Sequence, residues 1–168
     1  MKAADARSAF AAEARRYDGT KEIPQNRGIR VDYWSLEAGA DPVTSPAWCA
    51  SFASQTGVQA FGRANYPLRR SASVQAIVDD AKARSLFTTD IELAAKRAVL
   101  AVLWFPSLGR YGHILVVADI DVAARTVAGI EGNSNDDGSR DGYEVVERKG
   151  KKARPITDRV GFILWPES

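Results

Sequence analysis

The sequence predicts an α+β domain, with helices in the first half packed on an antiparallel β-sheet formed by the second. Up to about residue 83, apolar residues recur at three- and four-residue spacing between helix start and stop signals. From Ala98 onward the pattern changes to short β-rich runs separated by turns. A length of 168 residues suits one domain with a real core, so 1–168 reads as a single unit. Its core begins at about residue 21, and 1–20 form a helical lead-in.

The elements follow in order. Residues 4–17 predict a helix with Ala-rich spacing around Phe10 and Tyr17. "DGTKEIPQNRG" is a loop, broken by Asp-Gly, Pro24 and Asn-Arg-Gly. "IRVDYWSLEAGA" predicts a helix with Val31, Trp34 and Leu36 on one side, ended by Gly39. Ser45-Pro46 is a helix-start signal, with the hydroxyl at the N-cap and proline at the first helical position. Ser73 opens a further helix carrying Val74, Ile77, Val78 and Ala81 on one face. "TTDIELAAKR" (88–97) fits either a short helix or a loop. The runs 98–105, 113–120, 125–131, 143–149 and 159–165 predict strands of an antiparallel meander.

Composition excludes several classes. The chain is 45% hydrophobic and 26% charged, as in a globular domain, and its net charge of +2 is too small to argue for nucleic acid. One cysteine excludes an internal disulfide, and one cysteine with one histidine falls short of a zinc site. The Asp119-x-Asp121 and Asp136-Asp137 pairs lack a complete oxygen-ligand loop, so no metal or cofactor is expected. The first 20 residues, interrupted by Asp5, Arg7 and Glu13, do not read as a signal peptide, and no segment reads as membrane-spanning. Trp48, Trp104 and Trp165 read as core, and Asn135-Asp136-Asp137-Gly138 as a turn. "RKGKKAR" (148–154) reads as a solvated hairpin tip, with contact to an anionic glycan as the alternative.

The only cysteine, Cys49, and the only histidine, His113, carry the chemical question. Alone, Cys49 is either a small buried residue or a nucleophile, and a histidine beside a carboxylate is often just a satisfied polar pair. Position adds to this. A hairpin of 113–120 with 125–131, turning around Val122, sets His113 directly opposite Glu131, where Cβ atoms stand about 4.5–5.5 Å apart. The carboxylate then fixes the imidazole tautomer and leaves the other ring nitrogen for a nucleophile. Asn133, two residues on, brings an amide to the same edge. Cys49, in the first turn of a helix, sits where backbone N–H groups favour a thiolate and can bind an oxyanion.

These segments resemble a known family. "PAWCASFAS", "YGHILVV" and "IEGNSNDDGSRDGYEVVERK" are similar to the nucleophile, histidine and glutamate–asparagine motifs of CHAP domains, the cysteine, histidine-dependent amidohydrolases/peptidases. "KEIPQNRGIRVDYW" resembles the lead-in of bacterial and phage members, and "RPITDRVGFILWP" their closing strand. The resemblance runs from about Lys21 to the C-terminus. Two departures stand out. "KRAVLAVLWF" replaces a Gly-Asp step before the first core strand, and "GHILVV" replaces "GHVG", filling space beside the histidine.

The resemblance implies a papain-like CHAP fold, with Cys49 as nucleophile, His113 as general base and acid, Glu131 orienting the imidazole and Asn133 assisting. It implies a peptidoglycan hydrolase cutting the N-acetylmuramoyl-L-alanine amide or a bond of the peptide stem or cross-bridge. Made in the cytoplasm without a signal peptide, such an enzyme would reach the wall as a holin-released phage lysin or as a secreted antibacterial effector with a cognate immunity protein. Two alternatives remain open. One is a cytosolic amidohydrolase acting on a glutathionyl-polyamine-like amide; the other is a non-catalytic module that binds wall peptide.

Overall fold

The computed structural model describes residues 1–134 and 142–167. Helix α1 (Ala3–Arg15) buries Ala6, Phe10, Ala11 and Ala14, the stripe that its spacing predicts. Helix α2 (Ile29–Glu37) buries Val31 and Trp34, but Leu36, expected beside them, is 62% exposed. Two residues past Trp34 it is rotated by about 200° and faces away.

The expected helix start at Ser45-Pro46 does not form. Pro42–Thr44 makes a single 3-10 turn, opened by Asp41, whose carboxylate accepts from the Val43 N–H at 2.9 Å. Ser45 then adopts a left-handed conformation (φ 49°), which an N-cap residue does not. Helix α3 (Cys49–Phe61) begins three residues later, with Trp48 in the N-cap position and no side-chain cap.

Helix α4 (Val74–Ala83) starts as predicted. The Ser73 hydroxyl accepts from the Ala76 N–H at 3.2 Å, and Val74, Ile77, Val78 and Ala81 are buried. The ambiguous 88–97 segment resolves into the end of strand β1 (Phe87–Thr88) and helix α5 (Ile91–Arg97). Asp90 caps α5 by accepting from the Glu92 and Leu93 N–H groups.

Strands β2 (Ala98–Phe105), β3 (Arg110–Asp121), β4 (Thr126–Ser134), β5 (Glu144–Arg148), β6 (Arg154–Pro155) and β7 (Val160–Leu164) complete the fold. Among the described residues all seven strands join one antiparallel sheet, in the order β1-β7-β2-β3-β4-β5, with β6 also on β4. The α+β class is therefore as predicted, but the sheet is more than a meander. β7 returns to pair with β2, and β5 and β6 share the outer edge of β4. Asn135-Asp136-Asp137-Gly138, predicted as a turn, lies outside the described residues.

Alternating side chains divide the core between the two sheet faces. Val102, Ile114, Val116 and Ile130 pack under the helices with Phe10, Trp34, Trp48 and Phe52. Leu115, Val117, Val127 and Phe162 form a second cluster on the other face. Trp48 and Trp165 are buried as expected, and Trp104 is half-buried. No helix among the described residues is long and apolar enough to cross a membrane.

Candidate active site

Cys49 is the first residue of α3, and an aromatic cluster sets its position. Trp34 stacks on Trp48 at 5.6 Å between ring centroids and meets Phe52 edge-on at 5.1 Å. The Trp48 indole N–H donates to Glu22 at 2.7 Å, tying the loop before α2 to the helix start. Gly132 lets this end of α3 close on β4. A Cβ there would stand 2.7 Å from the Trp48 ring and 2.8 Å from Phe52 Cβ.

His113 stands just past an irregularity in β3. Leu103 of β2 pairs with His113, but the next residue, Trp104, pairs with Tyr111, which leaves Gly112 as an extra residue. Gln75 of α4 holds this bend by accepting from the Tyr111 N–H at 2.9 Å. The Cys49 thiol approaches the bulged backbone, 3.9 Å from the Gly112 carbonyl oxygen, close enough to the neighbouring imidazole to favour its protonated form.

The β3–β4 register differs from the prediction. The hairpin closes with Asp121 opposite Thr126, so the turn lies further along the chain than one centred on Val122. The ladder then shifts between Val117 and Asp119, with Ala118 as the extra residue. At the site Val116 faces Ile130, and continuing this register sets Glu131 level with Leu115. His113 and Glu131 are therefore diagonal neighbours on one face, not a directly opposed pair. Diagonal positions are about 7–8 Å apart at Cα, a gap that a glutamate and an imidazole can bridge. His113 Nε2 donates to Glu131 Oε2 at 2.6 Å, which leaves Nδ1 for the thiol.

Glu131 is fully buried and enclosed by cations that the sequence reading did not assign to it. Arg154 grips both carboxylate oxygens, Nε to Oε2 and Nη2 to Oε1, each at 2.9 Å. Arg148 Nε also bonds Oε1, and its Nη2 donates to the Ser134 hydroxyl at 2.9 Å. Two of the basic residues in 148–154 are thus half-buried partners of a carboxylate, not solvated tip residues. Alternation could have flagged them. Arg148 lies opposite Gly129 and Arg154 opposite Val127, both on the Glu131 face of β4, but seeing this requires both pairings to be known.

Burial alone would push the His113 pKa down. Hydrogen bonds and charge from Cys49 and Glu131 outweigh it, and the imidazole is pushed up to about 9. Burial would likewise raise Glu131, but His113 and the Arg154 guanidinium hold it well below the usual carboxylate range.

Asn133 does not join the imidazole. No hydrogen bond links them among the described residues, and Asn133 adopts a left-handed conformation (φ 53°) in which its side chain lines a neighbouring cleft. That cleft, about 740 Å³, opens beside His113 between Phe105 and Leu108 on one side and Arg148 and Arg154 on the other. Cys49 is not part of its lining. The structure therefore brings Cys49, His113 and Glu131 into one connected set and leaves Asn133 at the rim. A thiol, an imidazole and a buried carboxylate linked in this order form the chain of groups that nucleophilic acyl transfer needs. Among the described residues no group of three or more potential ligand side chains could hold a metal. Compared with known proteins, the chain matches no family model, no curated sequence and no solved structure.

Proposed function

We propose that this protein is a cysteine amidohydrolase of the CHAP type, with a papain-like arrangement of helix and sheet, acting on bacterial peptidoglycan. The observation that carries the reading is the buried His113–Glu131 contact of 2.6 Å, with Cys49 beside the imidazole. His113 takes the Cys49 proton, and the thiolate attacks the amide carbonyl to give a tetrahedral oxyanion. The first backbone N–H groups of α3, which have no side-chain cap, are available to bind that oxyanion. Collapse of the intermediate breaks the C–N bond, with His113 delivering its proton to the leaving amine and a thioester left on Cys49. Water then adds with His113 as base, the acid is released and the thiol is restored.

The cleft beside His113 gives part of a substrate a place to lie next to the general acid. Reaching the wall as a holin-released lysin or as a secreted effector with an immunity protein belongs to the same proposal.

Purified sacculi treated with the protein, followed by mass spectrometry of the soluble fragments, test the reading. The expected result is fragments with new amino termini, whose masses separate amidase from endopeptidase cleavage. Intact sacculi from both Gram-negative and Gram-positive cells, together with hydrolysis of glutathionylspermidine, would replace the wall by a polyamine amide as the substrate.

A further inference from the structure

Resting on the amidohydrolase reading, we propose that Arg154 is a charge-balancing and positioning residue. By neutralising Glu131, it lets the carboxylate aim the His113 ring while limiting how strongly that carboxylate holds the imidazole proton. The geometry is specific. Arg154 meets both Glu131 oxygens, and Oε2 is the atom that also accepts from His113. The carboxylate is fully buried, so no solvent shares its charge. Strand pairing sets Arg154 opposite Val127, on the same face as Glu131. Gly129, between those two positions, packs closely on β3, where an added Cβ would lie 2.3 Å from the Val116 carbonyl oxygen.

The chemical need is clear. A general acid must give its proton to the leaving amine, and a bare buried carboxylate at 2.6 Å would hold that proton too tightly. Among the described residues, the charged and titratable groups gathered around the imidazole and its carboxylate are Cys49 from α3, Glu131 from β4, Arg148 from β5 and Arg154 from β6, with Lys152 lining the same cleft. Arg154 is the one that covers both oxygens of the carboxylate and also reaches the cleft, its side chain 30% exposed.

His113 is the only histidine in the chain, so one imidazole signal reports its titration without assignment. In ¹⁵N-histidine-labelled protein, Arg154→Gln should raise the His113 midpoint by about one pH unit. The same variant should slow sacculus hydrolysis near neutral pH at least tenfold, mainly in kcat, and shift the kcat–pH profile upward. Arg154→Lys, which restores charge but not the two-pronged grip, should return the midpoint to the wild-type position. A midpoint that stays put or falls in folded Arg154→Gln overturns the proposal. Should that variant not fold, Arg148→Gln is measured in the same way, because it removes a second cation from the same carboxylate. Failure of wild-type protein to act on any amide would sink the functional reading and leave the titration result standing.

Discussion

His113 Nε2 and Glu131 Oε2 stand 2.6 Å apart although the two residues are out of line by two positions along the β3–β4 ladder. The bulge at Ala118 makes this contact possible. Continued unbroken from the turn, the register of Asp121 with Thr126 would set Glu131 opposite Val116, on the sheet face that His113 does not occupy. One extra residue restores the shared face. The carboxylate thus reaches the imidazole diagonally and keeps room for two guanidinium groups on its other sides.

Glu131→Gln should lower kcat/KM by about a hundredfold or more, because a neutral amide does not stabilise the imidazolium. It should also cost roughly 3–5 kcal/mol of stability, since Arg148 and Arg154 lose a buried charged partner. Kinetics on folded protein at low temperature, combined with denaturant unfolding, separate the two effects.

Asn133→Ala should reduce kcat/KM by about tenfold or less, the scale of one neutral hydrogen bond. Its left-handed backbone adds a second expectation: Asn133→Gly should be at least as stable as Asn133→Ala. If Asn133→Ala proves more damaging to kcat/KM than Glu131→Gln, the amide is the orienting group and the carboxylate is part of the wall.

Stability should fall as the pH rises from about 6.5 to 9. His113 is held protonated up to about 9 in the folded state against 6.5 ordinarily, so its contribution is complete below 6.5 and lost as pH climbs through 9. Glu131 has the opposite sign. Its folded pKa is depressed, so its contribution is present above the ordinary carboxylate range and is lost as pH falls toward the folded value. Melting temperatures across this range should decline for wild type and stay nearly flat for His113→Gln.

Gly132→Ala should destabilise the protein by about 1–3 kcal/mol, because the added methyl meets Trp48 and Phe52 at under 3 Å. Chemical denaturation measures the loss. Because α3 would be displaced at the end that carries Cys49, hydrolysis should fall even where the protein remains folded.

What the sequence made legible was local. Ser73 with its apolar stripe and the five long β-rich runs lie where short-range patterns place them. The helix start at Ser45-Pro46 misled, because Asp41 and Pro42 open a competing turn first. The shared face of His113 and Glu131 was right despite the wrong register. The turn lies further along than expected, and the Ala118 bulge takes back one residue, so the net offset of two preserves the face. The arginine partners of Glu131 stayed hidden for a different reason. They depend on β5 and β6 sharing one edge of β4, a long-range pairing that no local pattern in "RKGKKAR" encodes.

The most direct measurement is the release of new amino groups from purified peptidoglycan by wild-type protein and by Cys49→Ala, with matched folding checked by circular dichroism. Cys49 is the sole thiol, so no other cysteine can substitute for it. The account predicts steady release by wild type and none above background for Cys49→Ala. Equal release by the two proteins would contradict it and remove Cys49 from the chemistry.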